Sequence, residues 1–308
     1  MKKVLITGGA GFIGRHLCKL HLDEGDFVVC VDDLSSGARG NIAEFESHPN
    51  FRFVKHDVSV ELDVHTKFDL IYHLASRASP PDYQEYPIHT MLANSYGTKN
   101  MLELALKNDA VMLYSSTSEV YGDPEVHPQQ EDYWGKVNPI GVRSCYDESK
   151  RFSEALCMAY IRKRDAKVRI ARIFNTYGPY MRAEDGRVVT NFINQALLGK
   201  EITVYGDGSQ TRSFCYVDDL VKGLRLLIDS DHNGPVNLGN PNEMSVLEIA
   251  EKIKEMTGSK SKIVFKPLPK DDPVRRKPDI SLAKKILKWE PKVGVEAGLR
   301  KTVEYFRE

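Results

Sequence analysis

Short apolar runs recur along the first two thirds of the chain. They are Val4–Ile6, Phe27–Val31, Phe51–Val54, Leu70–Leu74, Val111–Tyr114, Val168–Ile173 and Val236–Leu238. Several are apolar on both faces, the pattern of strands covered by helices on each side. Longer stretches of helical character lie between many of them: Phe12–Glu24, Met91–Leu106, Tyr146–Arg164 and Val217–Ile228. This alternation predicts an α/β fold with a doubly wound parallel sheet. Ligands on such sheets bind at the carboxyl ends of the strands. After Asn175 the pattern changes. Helical stretches at Val188–Leu198 and Val246–Met256 dominate, separated by turn-rich pieces at Tyr205–Gly208 and Pro267–Pro278. A smaller, discontinuous C-terminal α/β domain is expected there. Residues 1–175 and 213–240 would form the sheet domain, and 176–212 with 241–308 the second.

Composition narrows the function. The 308 residues are 41% hydrophobic and 28% charged, which excludes extended disorder. Lys+Arg and Asp+Glu both number 43, so the net charge is zero. No whole-protein field exists to hold nucleic acid or an anionic membrane. Any bound anion must therefore be held by a local arrangement. The five cysteines, Cys18, Cys30, Cys145, Cys157 and Cys215, form no CxxC pair. That argues against a disulfide framework and a zinc site, and no metal is expected. The N-terminal apolar triplet Val4–Ile6 is too short for a signal-peptide core, and no apolar run approaches ~18 residues. A soluble, cytoplasmic protein is expected.

Between the first strand and the first helix stands Thr7-Gly8-Gly9-Ala10-Gly11-Phe12-Ile13-Gly14. Glycines suit this place because the backbone must turn tightly and let a diphosphate approach a helix N-terminus. The next strand ends at Asp32, where a carboxylate can accept hydrogen bonds from both ribose hydroxyls. Asp33 follows, and no arginine stands beside the pair until Arg39. A 2′-phosphate would meet negative charge there, so NAD is favoured over NADP. The pattern is that of a Rossmann-type dinucleotide site. Asp57, after the third strand, is placed to contact adenine.

Tyr146 and Lys150 are spaced i, i+4 and so share one helix face. An ammonium near a phenol favours phenolate and lowers the tyrosine pKa from about 10, making it a usable base. Chance alone yields about two Tyr-x-x-x-basic pairs at this composition. Context adds to the spacing: Ser115-Ser116-Thr117-Ser118-Glu119 follows a strongly apolar strand, so its hydroxyls face the ligand crevice.

Together these residues resemble the extended short-chain dehydrogenase/reductases that act on nucleotide sugars. Within them the chain is similar to the UDP-glucuronate decarboxylases, also called UDP-xylose synthases. His73–Ser76, Ser79-Pro80-Pro81, Ser116–Pro124, Trp134–Asp147, Arg172–Gly178, Asp185–Phe192, Thr203–Phe214 and Asp271–Asp279 follow that pattern. Thr117-Ser118-Glu119 discriminates most. Sugar-nucleotide 4,6-dehydratases carry Asp-Glu after the threonine, and 4-epimerases usually lack the glutamate. Three positions depart: Arg77 for the usual Pro, Tyr180 for Arg and Ser149 for Gly.

The resemblance implies NAD-dependent decarboxylation of UDP-glucuronate to UDP-xylose through a 4-keto sugar, with NAD regenerated in the site. It implies cofactor contacts from Gly8, Gly11, Phe12, Ile13 and Gly14, from Asp32 and Asp33, and from Asp57, Val58, Leu74 and Ala75, with Tyr146 and Lys150 at the nicotinamide. Tyr146 would take the C4 proton, helped by Lys150 and Thr117. Ser118, Glu119 and Arg276 would orient the substrate carboxylate and help water protonate C5. Asn175, Asn191, Tyr205, Arg212 and Arg276 are the implied UDP-sugar contacts, and Arg187 is expected to anchor a loop. A homodimer through a four-helix bundle of Met91–Leu106 and Tyr146–Arg164 is also implied. The alternatives are a UDP-sugar 4-epimerase and, of another class, a non-catalytic NAD-sensing protein.

Overall fold

The computed structural model describes residues 1–268 and 275–307. The Asp271–Val274 part of the C-terminal motif lies outside them. At the centre is a seven-stranded sheet. Its strands are β1 (Lys3–Thr7), β2 (Phe27–Asp32), β3 (Phe51–Lys55), β4 (Leu70–His73), β5 (Val111–Thr117), β6 (Val168–Ile173) and a last strand Pro235–Leu238. Across the sheet the order is Pro235–Leu238, β6, β5, β4, β1, β2, β3. Every pairing is parallel. Successive strands step outward in opposite directions from the β1–β4 pair. The crevice at that switch point is the place where such sheets bind ligands.

The helices are α1 (Phe12–Asp23), α2 (Pro80–Glu85), α3 (Pro87–Asn108), α4 (Ser144–Arg164), α5 (Val188–Leu197), α6 (Val217–Ile228), α7 (Val246–Thr257), α8 (Ser281–Leu287) and α9 (Val295–Arg307). The period-2 alternation of a strand explains the layers. In β1, Val4 and Ile6 join the core with Leu17 and Cys18 of α1 and Leu220 and Leu224 of α6. Leu5 points the other way, into the core with Met101 and Leu102 of α3 and Cys157 of α4. Along the α3–α4 seam, Asn94 Nδ2 donates to Ser149 Oγ at 2.9 Å and Ser153 Oγ to the Asn94 carbonyl at 2.6 Å.

Beyond the sheet, Thr211–Ser213 pairs antiparallel with Glu243–Ser245 and parallel with Arg275–Arg276. Ile202–Tyr205 pairs with Ile263–Lys266. A capping box starts α7: Ser245 Oγ accepts from the Glu248 N–H at 3.1 Å, and Glu248 Oε2 accepts from the Ser245 N–H at 2.7 Å. Phe192, Val204, Ile249 and Leu299 from this region share one continuous apolar core with β1. Among the described residues, no helix is long and apolar enough to cross a membrane.

Candidate active site

The carboxyl ends of β1, β2, β4 and β5 open on a cavity of about 550 Å³. At one end the walls are largely backbone. Gly8 has φ +69°, and a Cβ there would stand 2.9 Å from the Ala75 nitrogen; glycine lets the β1 loop press against the chain leaving β4. A Cβ on Gly14 would lie 2.1 Å from the Gly8 carbonyl oxygen. Gly11 caps α1 without a side chain, and the first turn of that helix carries no acid. The first N–H groups of a helix have no intrahelical acceptor and attract an anion.

Asp32 is 6% exposed at the end of β2. Its carboxylate accepts from Ala10 N at 3.0 Å and Leu34 N at 2.8 Å. Burial pushes its carboxyl pKa up, and the two backbone donors oppose that. A carboxylate offers about four lone-pair sites, so capacity remains for ribose hydroxyls. A glycine cradle, an open helix N-terminus and a buried carboxylate together fit a dinucleotide. Phe12, Ile13, Asp33, Asp57, Val58, Leu74 and Ala75 line the same cavity. His89 joins them unforeseen, its Nε2 standing 3.5 Å from both Asp33 Oδ2 and Asp57 Oδ2. It lies in the first turn of α3, upstream of the expected helix start at Met91, so no periodicity flagged it.

The chemical end is built from buried side chains. Thr117 closes β5 and accepts from the Glu119 N–H at 3.2 Å. Its hydroxyl also hydrogen-bonds the Tyr146 phenol. With its oxygen already accepting, it is suited to donate its proton to that phenol. Tyr83 of α2 stacks on Tyr146, with ring centroids 5.0 Å apart and planes 7° from parallel. Lys150 Nζ donates to the Ser115 carbonyl at 2.7 Å and stands 5.8 Å from the centre of the Tyr146 ring.

The expected acidification of Tyr146 by Lys150 needs correction. Burial pushes the phenol above its ordinary value, and the opposing influences are Thr117 and the guanidinium of Arg187. Lys150 is itself pushed down to about 7, because desolvation of its ammonium outweighs the favourable field of Glu154. Arg187 is bound by both oxygens of Asp185, as an anchor would be, yet it also lines the cavity beside Tyr146.

Glu119 forms the centre of a charge cluster. Burial alone would raise its carboxyl, but Arg276, Arg143 and Arg212 outweigh burial and hold it down at about 2. Arg143 Nη2 lies 2.5 Å from Glu119 Oε2, and Arg276 Nη2 lies 3.2 Å from the same oxygen. Arg143 sits within the Trp134–Asp147 stretch that carries the resemblance, but nothing local marks it as a Glu119 partner. Asp147 is pushed up to about 8, by burial first and by the Glu119 charge second.

Asn175, Asn191, Tyr205 and Arg212 line the cavity with Ser118. Arg276 does not. It is 1% exposed, and its Nη1 donates to the Ser118 carbonyl at 2.5 Å. The expectation that it faces the substrate is corrected: it stands behind Ser118 and Glu119 and braces them. Its neighbour Arg275 is exposed. Of the departures, Arg77 and Tyr180 line the cavity, whereas Ser149 faces the α3 seam.

Residues 4–239 match the model of the NAD dependent epimerase/dehydratase family. The chain is 54% identical over 305 residues to UDP-glucuronic acid decarboxylase 1 of Danio rerio, covering 99% of this chain and 72% of that protein. Its fold superposes on the UDP-glucose 4-epimerase of Thermotoga maritima with a TM-score of 0.92 and 32% identity, covering 99% of this chain and 98% of the other. A UDP-glucuronic acid 4-epimerase mutant of Bacillus cereus, in complex with a fluorinated UDP-glucuronic acid and NAD, gives a TM-score of 0.86 at 28% identity and 99% coverage of both chains. The chain belongs to the NAD dependent epimerase/dehydratase family, and its likeness over nearly its whole length groups it with the UDP-glucuronic acid decarboxylases.

Proposed function

We propose that this protein converts UDP-glucuronate to UDP-xylose and CO₂ through a UDP-4-keto sugar. The observation that carries the reading is the exit of β5. There Ser118 stands where an elimination chemistry would need an acid, and Glu119 is held ionised between Arg143 and Arg276 beside Tyr146. When bound, NAD supplies hydride acceptance at C4 and its later return.

The residues do the rest. Burial favours the neutral phenol, and Thr117 and Arg187 oppose it by favouring the phenolate; in that form Tyr146 accepts the C4 hydroxyl proton while the Thr117 hydroxyl donates to its oxygen. Once C4 is a carbonyl, the C5–C6 bond can break. Its electron pair passes into an enolate at C4, and CO₂ leaves. Tyr146, now protonated, stabilises that oxygen. Ser118 and Glu119 hold a water that protonates C5, with Arg276 fixing both from behind. The net reaction consumes one proton. Arg212, Asn175, Asn191 and Tyr205 bind the UDP portion; a guanidinium fork suits phosphate oxygens.

On this reading residues 1–175 and 213–240 hold NAD, while 176–212 and 241–308 grip the UDP-sugar. The proposal includes a homodimer through a four-helix bundle. Ile88, Met91, Leu92 and Tyr96 on α3 and Phe152 on α4 support it, since all are exposed and apolar on two neighbouring helices. It also includes a cytoplasmic location, supported by five unpaired, buried cysteines.

The test is direct. Purified protein with UDP-glucuronate should release CO₂ and form UDP-xylose in equal amounts. UDP-galacturonate without CO₂ would replace this reading with 4-epimerisation. NAD binding without turnover across a panel of UDP-sugars would point to a sensing role.

A further inference from the structure

Arg77 is a departure from the resembled pattern, and its surroundings are unusual. It is 8% exposed and lines the cavity just beyond β4. Its guanidinium lies 4.3 Å from the centre of the Tyr86 ring, and Nη1 donates to the Ser35 carbonyl at 3.1 Å. No carboxylate pairs with it among the described residues, and its buried Nε has no partner. A buried cation without a counter-charge is costly, so the place calls for an anion.

Position says which anion. Ala75, two residues upstream, is in close approach to Gly8 of the diphosphate-type loop. Ser35 follows Asp32, the ribose carboxylate, by three residues. Arg77 thus bridges the chain leaving β2 and the chain leaving β4, with the open N-terminus of α1 between those strands. The residues proposed for the substrate's diphosphate belong to a different stretch of chain, around Asn191 and Arg212.

We propose that Arg77 is a diphosphate-binding residue of the cofactor cleft, neutralising the diphosphate of NAD. The inference rests on the NAD reading of the Gly8–Gly14 loop. Its Ser35 bond also ties the β2 exit loop to the same charge, so cofactor retention depends on it.

Binding of NADH, ADP-ribose, adenosine and UDP to wild type, Arg77→Gln and Arg77→Lys tests this, with melting temperatures recorded alongside. Arg77→Gln should weaken NADH and ADP-ribose about 10- to 100-fold, the scale of a charge-assisted hydrogen bond. Adenosine and UDP should bind as before, and Arg77→Lys should recover part of the loss. Unchanged NADH binding would overturn the inference. So would an equal loss for adenosine, which would mark a merely structural role, a loss confined to UDP, or no recovery in Arg77→Lys. A wild type that binds no NADH would overturn the cofactor reading itself, and this inference with it.

Discussion

At the cofactor end of the cavity the chain offers mostly backbone, with one buried carboxylate and the Arg77 guanidinium, whereas at the chemical end it offers a crowd of buried side-chain charges. The Gly8–Gly14 loop works by what is missing: a Cβ on Gly8 or Gly14 would collide with neighbouring main chain. The Glu119 cluster works by what is present, an ionised carboxylate among three guanidiniums. The first is a local device, complete within a dozen residues. The second draws on the turn after β5, on α4 with the residue before it, and on two short strands far along the chain. Substitutions at the two ends should therefore separate cofactor affinity from turnover.

The largest effect is expected at Tyr146. Tyr146→Phe should lower CO₂ release about 10³- to 10⁴-fold, the upper range for a general base, while NADH and UDP titrations stay near wild type. Glu119→Gln comes next, with a loss of about 10²-fold in CO₂ release and no change in NADH affinity. A fully active Glu119→Gln enzyme would remove that carboxylate from the account. Gly14→Ala should give the opposite pattern. The new methyl would meet the Gly8 carbonyl, so NADH binding should weaken by about tenfold or more, and overpacking of about 1–3 kcal/mol should lower the melting temperature by several degrees. If Gly14→Ala impaired turnover at saturating NAD as severely as Glu119→Gln does, the two ends would not be separable.

The smallest effect concerns pH. Lys150 has a folded pKa of about 7, below its ordinary value. The unfolded chain therefore binds more protons between about pH 7 and pH 10.4. The cost of burying the ammonium is fully present below about pH 7, and it disappears as pH rises toward 10. The melting temperature of Lys150→Met relative to wild type should be highest near pH 6 and should fall as pH approaches 10. A difference independent of pH would show that the lysine is not held by burial as described.

This contrast also explains what could be read in advance. β6 and α6 were expected at Val168–Ile173 and Val217–Ile228, and they occupy those residues, because apolar periodicity sets both ends. β5 was expected to stop at Tyr114 but runs on to Thr117. Its polar tail is buried and satisfied within the fold: Ser115 Oγ donates to the His73 carbonyl at 2.9 Å, and Ser116 Oγ to Glu154 at 2.5 Å. Polarity alone had suggested a strand exit. The glycine loop and Asp32 were legible because the sequence features that mark them are local. Arg143, Tyr83 and His89 were not assigned roles, since each acquires its partner only through tertiary contact. Arg276 was found through resemblance but placed one layer too close to substrate, because its burial depends on pairing with the Thr211–Ser213 strand. The Tyr146–Lys150 spacing led to two residues that line one cavity, yet it could not reveal that burial shifts both groups away from their charged forms.

The central claim is that C4 is oxidised, the carboxylate is lost from C5, and C4 is reduced again without exchange. UDP-glucuronate carrying deuterium at C4 tests it in one incubation, read by mass spectrometry and NMR of the nucleotide sugar. The account predicts CO₂ release and UDP-xylose that retains deuterium at C4. Recovery of an isomerised UDP-hexuronate without CO₂, or UDP-xylose with ordinary hydrogen at C4, would contradict it.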